Sequence, residues 1–368
     1  MSDEDHLLYN FLPGLDLSKA FYEDAVKPFM DKYYPNLVYS AVRIGHGSDV
    51  LGYDTPQSMD HDWGPKLQIF LKESDYTSVK EELDERLRND LPLKVRGFPT
   101  NFTKNEDGTI RMSPIEEGPV NHGIEINTVS GFFFEYLGFN PAEDLRIFDW
   151  LVLPQQILLS ISNGRVFHDG LERMKEIVEK LEYYPQDLWL YLLSNQWERI
   201  AQEEAFMGRC GQVGDELGSR IVATRLISDM MRLCFLMERK YAPYIKWFGT
   251  AFSNLRNAKA LTPVFIKVMD ADSWQERQEH LAKAYEYIAK MHNDLEITNP
   301  LTTEVSQFYN RPFMVIHAQK FAEAIHSKIM DEEVKELPKY LGGIDQYVDS
   351  TDILGYTPKF RRFWSMYQ

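Results

Sequence analysis

The sequence predicts an α+β protein in which a small mixed-sheet domain is followed by an all-helical bundle. Up to residue 148, short apolar strands and amphipathic helices alternate irregularly, without regular strand-helix-strand units. Beyond it, strand patterns nearly stop and apolar residues recur at helical spacing. With 368 residues, 44% of them hydrophobic, the chain has ample material for two cores. The expected domains are 1–148, 149–340 and a tail, 341–368, whose aromatics Phe360, Phe363, Trp364 and Tyr367 predict docking.

Each element has a local reason. Leu17, Phe21, Ala25 and Phe29 form one helical face behind the cap candidate Ser18, ending near Tyr33-Tyr34-Pro35. Residues 37–44 read as a strand and Gly45-His46-Gly47-Ser48 as a glycine turn. A second strand is expected over 67–71, a charged amphipathic helix over 76–90, an irregular excursion over 96–119 and a third strand over 120–129. Helical patterns then occupy 149–161, 170–183, 186–207, 215–240, 263–268, 273–292, 311–329 and 332–340, with Asp169 as the cap of the second.

Charge narrows the function. Lys+Arg 40 against Asp+Glu 56 leaves −16, and residues 1–150 carry −13 of it. Such a surface repels phosphate backbones, which argues against general nucleic-acid binding unless a local basic patch overrides the total. Cys210 and Cys234 are the only cysteines and predict free thiols in a reducing compartment. The acidic amino terminus does not read as a signal peptide, and the most apolar stretch, 150–161, is interrupted by Pro154, Gln155 and Gln156 and is too short to cross a bilayer. The expectation is a cytoplasmic protein with no membrane partner.

The informative segment runs from Ile44 to Trp63. A strand delivers the chain to Gly47-Ser48, and about a dozen residues later the approach to the next strand carries Asp60 and Asp62. Alternation along a strand would put these carboxylates on one face, with His61 pointing away. Paired hard oxygens suit Mg²⁺, which takes one or two carboxylates plus substrate phosphates. Gly47 lets backbone amides approach a phosphate, and Ser48 adds a hydroxyl donor. Glu125 lies between Ile124 and Ile126 in the third strand, a costly place for a charge that is neither paired nor metal-bound. Singly, each feature reads as an ordinary turn, cap or solvent-side residue; in this order they point to a metal-dependent site.

The glycine-serine turn, the spaced Asp-x-Asp and a later acidic residue on a third strand resemble the nucleotidyltransferase superfamily, which has the fold of DNA polymerase β. The runs Gly47-Ser-Asp-Val-Leu-Gly-Tyr-Asp54, Ser58-Met-Asp-His-Asp-Trp-Gly-Pro-Lys66 and Tyr241-Ala-Pro-Tyr-Ile-Lys-Trp-Phe-Gly-Thr-Ala-Phe252 resemble one uncharacterised bacterial branch, labelled only a domain of unknown function, over residues 7–330. His61 between the aspartates and Asp49 after Gly-Ser depart from the wider superfamily. The resemblance implies Asp60, Asp62 and Glu125 as catalytic and metal-holding residues for Mg²⁺ or Mn²⁺, with Glu125 as ligand or general base. It also implies Gly47 and Ser48 as the binding turn for an NTP co-substrate. The acceptor would be a hydroxyl on a small molecule, neutral or cationic, or on a protein or RNA end, and homodimers occur among related enzymes.

The helical domain adds a basic segment. Residues 209–246 hold seven basic and four acidic residues, with Arg225, Asp229, Arg232 and Arg239 expected on one polar stripe. Arg225 and Lys246 are the candidates to meet a triphosphate, and Lys246 sits among aromatics on which a base could stack. Arg311 and His317 have a spacing reminiscent of helical ribonuclease domains but align poorly on a helix. Two other functions compete. A metal-dependent glycosyltransferase would use Asp60 and Asp62 as its Asp-x-Asp, but it wants a longer nucleotide domain than the 59 residues that precede the motif. A non-catalytic nucleotide-binding module would have little reason to keep three carboxylates.

Overall fold

The computed structural model describes residues 11–143, 145–355, 362–363 and 365–367. The chain forms two compact units. One runs to Leu145 and takes back Ile157–Glu182; the other holds Arg146–Gln156 and continues from Tyr183.

In the first unit, α1 (Gly14–Phe21) passes through a π-helical turn at Tyr22–Val26 into α2 (Lys27–Tyr33). The helix starts after Pro13, not at Ser18, which is fully buried inside it. β1 (Tyr39–Arg43) leads through the glycine turn to α3 (Ser48–Leu51), and a 3₁₀ turn at Pro56–Asp60 precedes β2 (Lys66–Leu71) and α4 (Glu73–Asp90). Two small hairpins occupy most of the stretch expected to be irregular, β3 (Lys94–Val95, just before it) with β4 (Phe98–Pro99) and β5 (Phe102–Lys104) with β6 (Ile110–Met112). β7 (Gly123–Thr128) runs into α5 (Val129–Leu137), whose first turn is capped by the Thr128 hydroxyl accepting the Gly131 N–H at 3.0 Å.

The helix expected over 149–161 is two, α6 (Ile147–Val152) and α7 (Gln155–Ser162), separated at Pro154, which supplies no N–H to continue the ladder. Then comes a strand that the sequence pattern did not show, β8 (Arg165–Asp169), followed by α8 (Met174–Lys180). Asp169 therefore ends a strand, but its carboxylate still caps α8, accepting the N–H groups of Met174 at 3.3 Å and Lys175 at 3.0 Å.

These strands form one mixed sheet in the order β7-β2-β1-β8, with β2 antiparallel to β1 and parallel to β7, and β8 antiparallel to β1. β8 is what returns residues 157–182 to the first unit. One core cluster packs Ala41, Leu67, Ile69, Ile124 and Ile126 of the sheet against Phe21 and Val26 of the opening helix and Leu83 and Leu87 of α4. Each of the Leu, Ile, Val and Phe side chains contributes roughly 1.5–3 kcal/mol on burial.

The second unit is helical: α9 (Gln186–Glu203), α10 (Phe206–Gln212), α11 (Glu216–Met237), α12 (Ile245–Ser253), α13 (Ala258–Asp270), α14 (Trp274–Asp294) and α15 (Gln319–His326). A two-residue pairing of β9 (Ser306–Gln307) with β10 (Met314–Val315) occupies part of the helix expected over 311–329. Arg311 lies in a turn and His317 has a left-handed φ of 55°, so their spacing is not helical. In the tail, Tyr367 is buried and its hydroxyl donates to the Gly342 carbonyl at 2.8 Å, while Phe360 and Trp364 lie outside the described residues. Both cysteines are free. Among the described residues no helix is long and apolar enough to cross a membrane.

Glu204, just past α9, is buried, and its carboxylate accepts the N–H groups of Ile316 at 3.0 Å and Ala318 at 3.2 Å. Burial pushes its carboxyl up from 4.5 to about 7. The native state then binds this proton more tightly than the unfolded chain does. The resulting stabilisation is complete below about pH 4.5 and is lost as pH rises through about 7. Denaturant unfolding of wild type and Glu204→Gln across this range should show wild type losing ground to the variant with rising pH; a pH-independent difference would contradict the assignment.

Candidate functional site

The sheet topology brings the three motif segments to one end. β1 leaves the sheet at Arg43 and enters the glycine turn. β2, antiparallel to it, starts there at Lys66, shortly after Asp60 and Asp62. β7, parallel to β2, also starts there, so Val42, Gln68 and Glu125 lie in one row across the three strands.

A buried ion pair shapes the turn. Arg43 is 4% exposed and Asp49 3%. The guanidinium holds the carboxylate with two bonds, Nε to Oδ2 at 2.8 Å and Nη2 to Oδ1 at 2.9 Å. Its remaining donors reach the carbonyls of Ile44 at 3.2 Å and His46 at 2.9 Å, so one side chain fixes both limbs of the turn. Gly47 sits inside this clasp with φ 142°. A Cβ there would lie 2.0 Å from Asp49 Oδ1 and 2.6 Å from Arg43 Nη2, so only glycine fits. Asp49, a departure from the superfamily pattern, is thus the counter-ion of the turn. Ser48, half-buried, is the first residue of α3.

Gln68 was missed in the sequence, although an amide within Leu67–Leu71 was its signal. Its side chain exchanges two bonds with the backbone of Ile44, each 3.2 Å, standing in for the strand partner β1 has just left. The same amide nitrogen lies 3.4 Å from Glu125 Oε2, linking the turn to the third carboxylate. Glu125 itself is on the exposed side of β7. The expectation of a charge embedded in an apolar strand is corrected: its apolar neighbours Ile124 and Ile126 face the other way.

Asp60 and Asp62 are not strand residues. Asp60 ends the 3₁₀ turn, Asp62 has a left-handed φ of 50°, and β2 begins four residues later, so strand alternation does not place them. Anchors on either side place them instead. Met59 and Trp63 are both 2% exposed, and the Trp63 indole donates to Asp54 at 2.8 Å, which leaves Asp60-His61-Asp62 standing out in solvent. His61 Nδ1 lies 2.8 Å from Asp60 Oδ1.

Lys66 is the second missed residue. Its half-buried ammonium lies 5.3 Å from the centre of the Phe102 ring. Desolvation and the Arg43 charge hold it below the usual lysine range, while Asp62, Asp49 and Glu125 pull it back up. It is the cation that the acidic edge surrounds.

The donor chemistry suits a hard divalent cation, but among the described residues no three His, Cys, Asp or Glu side chains gather closely enough to hold one. Two exposed carboxylates without a third fit an ion that brings oxygen ligands on a phosphate, and do not fit a resident one.

The basic residues of the second unit are largely engaged. Arg225 pairs with Glu203 at 2.6 Å. Arg232 lies over the Phe248 ring at 5.2 Å and Arg239 over Trp189 at 3.9 Å. Asp229 is buried and bonded to Arg199 at 3.1 Å, so the expected polar stripe is not one solvated face. Lys246 is exposed on the first turn of α12, 5.1 Å from the centre of the Trp247 ring.

The buried pair sets a stability expectation. Asp49→Ala leaves the Arg43 charge buried without its partner, at a cost of about 3–5 kcal/mol. Urea unfolding of the variant checks this; a loss below about 1 kcal/mol, the value of a surface pair, would show that the turn does not depend on it.

Comparison with known proteins adds three findings. A family model described as a domain of unknown function, DUF4037, matches residues 150–248, a span without the motif segments of the sheet edge. The crystal structure of a nucleotidyltransferase-like protein from Exiguobacterium sibiricum 255-15 is similar at 10% identity and a TM-score of 0.32, covering 83% of this chain and 89% of that one. No curated protein matches the chain significantly.

Proposed function

We propose that the protein is a nucleotidyltransferase that moves a nucleoside monophosphate from an NTP to a hydroxyl of a small-molecule acceptor. The observation that carries this reading is the meeting of the glycine turn, the Asp60–Asp62 segment and Glu125 at one end of the sheet. It supports the residue pattern read from the sequence with a spatial relation that the pattern alone lacks.

The turn supplies backbone approach to the β and γ phosphates, fixed in advance by Arg43 and Asp49, and Lys66 supplies a cation beside them. Asp60 and Asp62 would hold a Mg²⁺ or Mn²⁺ ion arriving on the triphosphate, which when bound supplies charge neutralisation. The acceptor hydroxyl attacks the α-phosphorus, the bond to the β-phosphate oxygen breaks, and pyrophosphate leaves. Glu125, exposed at the same edge, takes the hydroxyl proton. The surplus of −13 over residues 1–150 favours a neutral or cationic acceptor over a polyanion.

The test is pyrophosphate release from the four NTPs with Mg²⁺ and a deproteinised mixture of small metabolites. Asp60→Asn combined with Asp62→Asn should lower release by about 10²-fold or more while leaving the unfolding midpoint unchanged. Unaltered release would refute the reading. Calorimetry in parallel should detect Mg²⁺ only together with NTP; tight binding of Mg²⁺ alone would contradict the two-carboxylate site.

A further inference from the structure

A cavity of about 370 Å³ in the second unit is lined by one face of α11 and by the segment 345–349, with Arg199 of α9 and Ile245 of α12 at its borders. On α11 the lining residues Arg225, Ser228, Asp229 and Arg232 stand at i, i+3, i+4 and i+7, so they share one face over roughly 10 Å of helix.

Most of the charge on these walls is matched locally. Arg199 Nε donates to Asp229 Oδ1 at 3.1 Å, and the Gln196 amide donates to the same oxygen at 3.0 Å. Arg225 is paired with Glu203 at 2.6 Å. Asp345 accepts the Gln155 N–H at 2.9 Å.

Three lining side chains are left over. Arg232, Ser228 and Asp349 make no hydrogen bond or ion pair with any described residue. Phe248 covers one face of the Arg232 guanidinium, but a ring stacked on that face accepts none of the in-plane N–H groups, so the donor edge stays open. Burial pushes the Asp345 carboxyl up to about 6 and the Arg232 charge opposes it, so the guanidinium stands near the 345–349 segment without closing an ion pair onto it. A half-buried cation on one wall and an exposed carboxylate on the other, paired neither with each other nor with the protein, suit a ligand that carries both charges.

We propose that this cavity binds a small zwitterion of the amino-acid class, its carboxylate on Arg232 and Ser228 and its ammonium on Asp349. An anion alone would meet the repulsion of Asp345 and Asp349, and a cation alone that of the three arginines. The volume falls within the roughly 300–1,000 Å³ of ligand pockets, room for a small amino acid as a whole. Such binding is independent of nucleotidyl transfer.

Thermal unfolding of the full chain tests it with glycine, β-alanine, 4-aminobutyrate and 5-aminopentanoate, a series of increasing charge separation, against butyrate and butylammonium at equal concentration and ionic strength. At least one zwitterion should raise the midpoint saturably, and neither singly charged control should match it. Arg232→Gln and Asp349→Asn should each weaken that zwitterion about tenfold, the loss of one charged hydrogen bond. Asp349 is exposed, so its variant keeps the test readable if Arg232→Gln does not fold. No saturable rise, an equal rise with butyrate or butylammonium alone, or a rise undiminished in either folded variant would overturn the proposal.

Discussion

The bidentate pair between Arg43 and Asp49 is the contact on which the rest of the candidate site depends. Two charges removed from water are costly unless each finds matched partners. Here every partner is local: Asp49 takes the fork of the guanidinium, and the carbonyls of Ile44 and His46 take its remaining donors. The pair leaves no room for a side chain at residue 47, so it also dictates the glycine. Gln68 extends this order sideways, replacing the ladder that β1 abandons and reaching Glu125 in the same stroke.

Against this rigid turn, the two aspartates are held differently. Buried Met59 and Trp63 pin the chain on either side and leave Asp60 and Asp62 in water, with Lys66 behind them. The edge thus joins a turn fixed by a buried ion pair to two carboxylates held in solvent. Part of the negative charge of residues 1–150 is solvated here, and a half-buried lysine stands among the acids.

How much of this was legible in the sequence follows from the range of each signal. The long helices α9, α11 and α14 appear at nearly their expected limits, because helical periodicity is local and accumulates over many turns. β8 was hidden because its five residues are only half-buried or exposed and show no alternation. The motif residues Gly47, Ser48, Asp60, Asp62 and Glu125 could be picked out by type and order. The conformation of Asp60 and Asp62 could not, since it depends on the anchors Met59 and Trp63 and on a strand that starts only at Lys66. Arg43, Gln68 and Lys66 act through partners on other segments, and a single residue carries no mark of such a partner. The second-unit arginines failed for the same reason: Arg225, Arg232 and Arg239 look free on a helical wheel, yet Glu203, Phe248 and Trp189 occupy them.

The proposed function requires that three segments far apart in sequence bind the triphosphate as one edge. Hydrogen–deuterium exchange of the full chain, with and without MgATP, addresses it directly. Slowed exchange is expected in residues 44–52, 59–65 and 120–125 together, with a smaller effect from ATP lacking Mg²⁺. Protection confined to other regions, with these three segments unchanged, would contradict it.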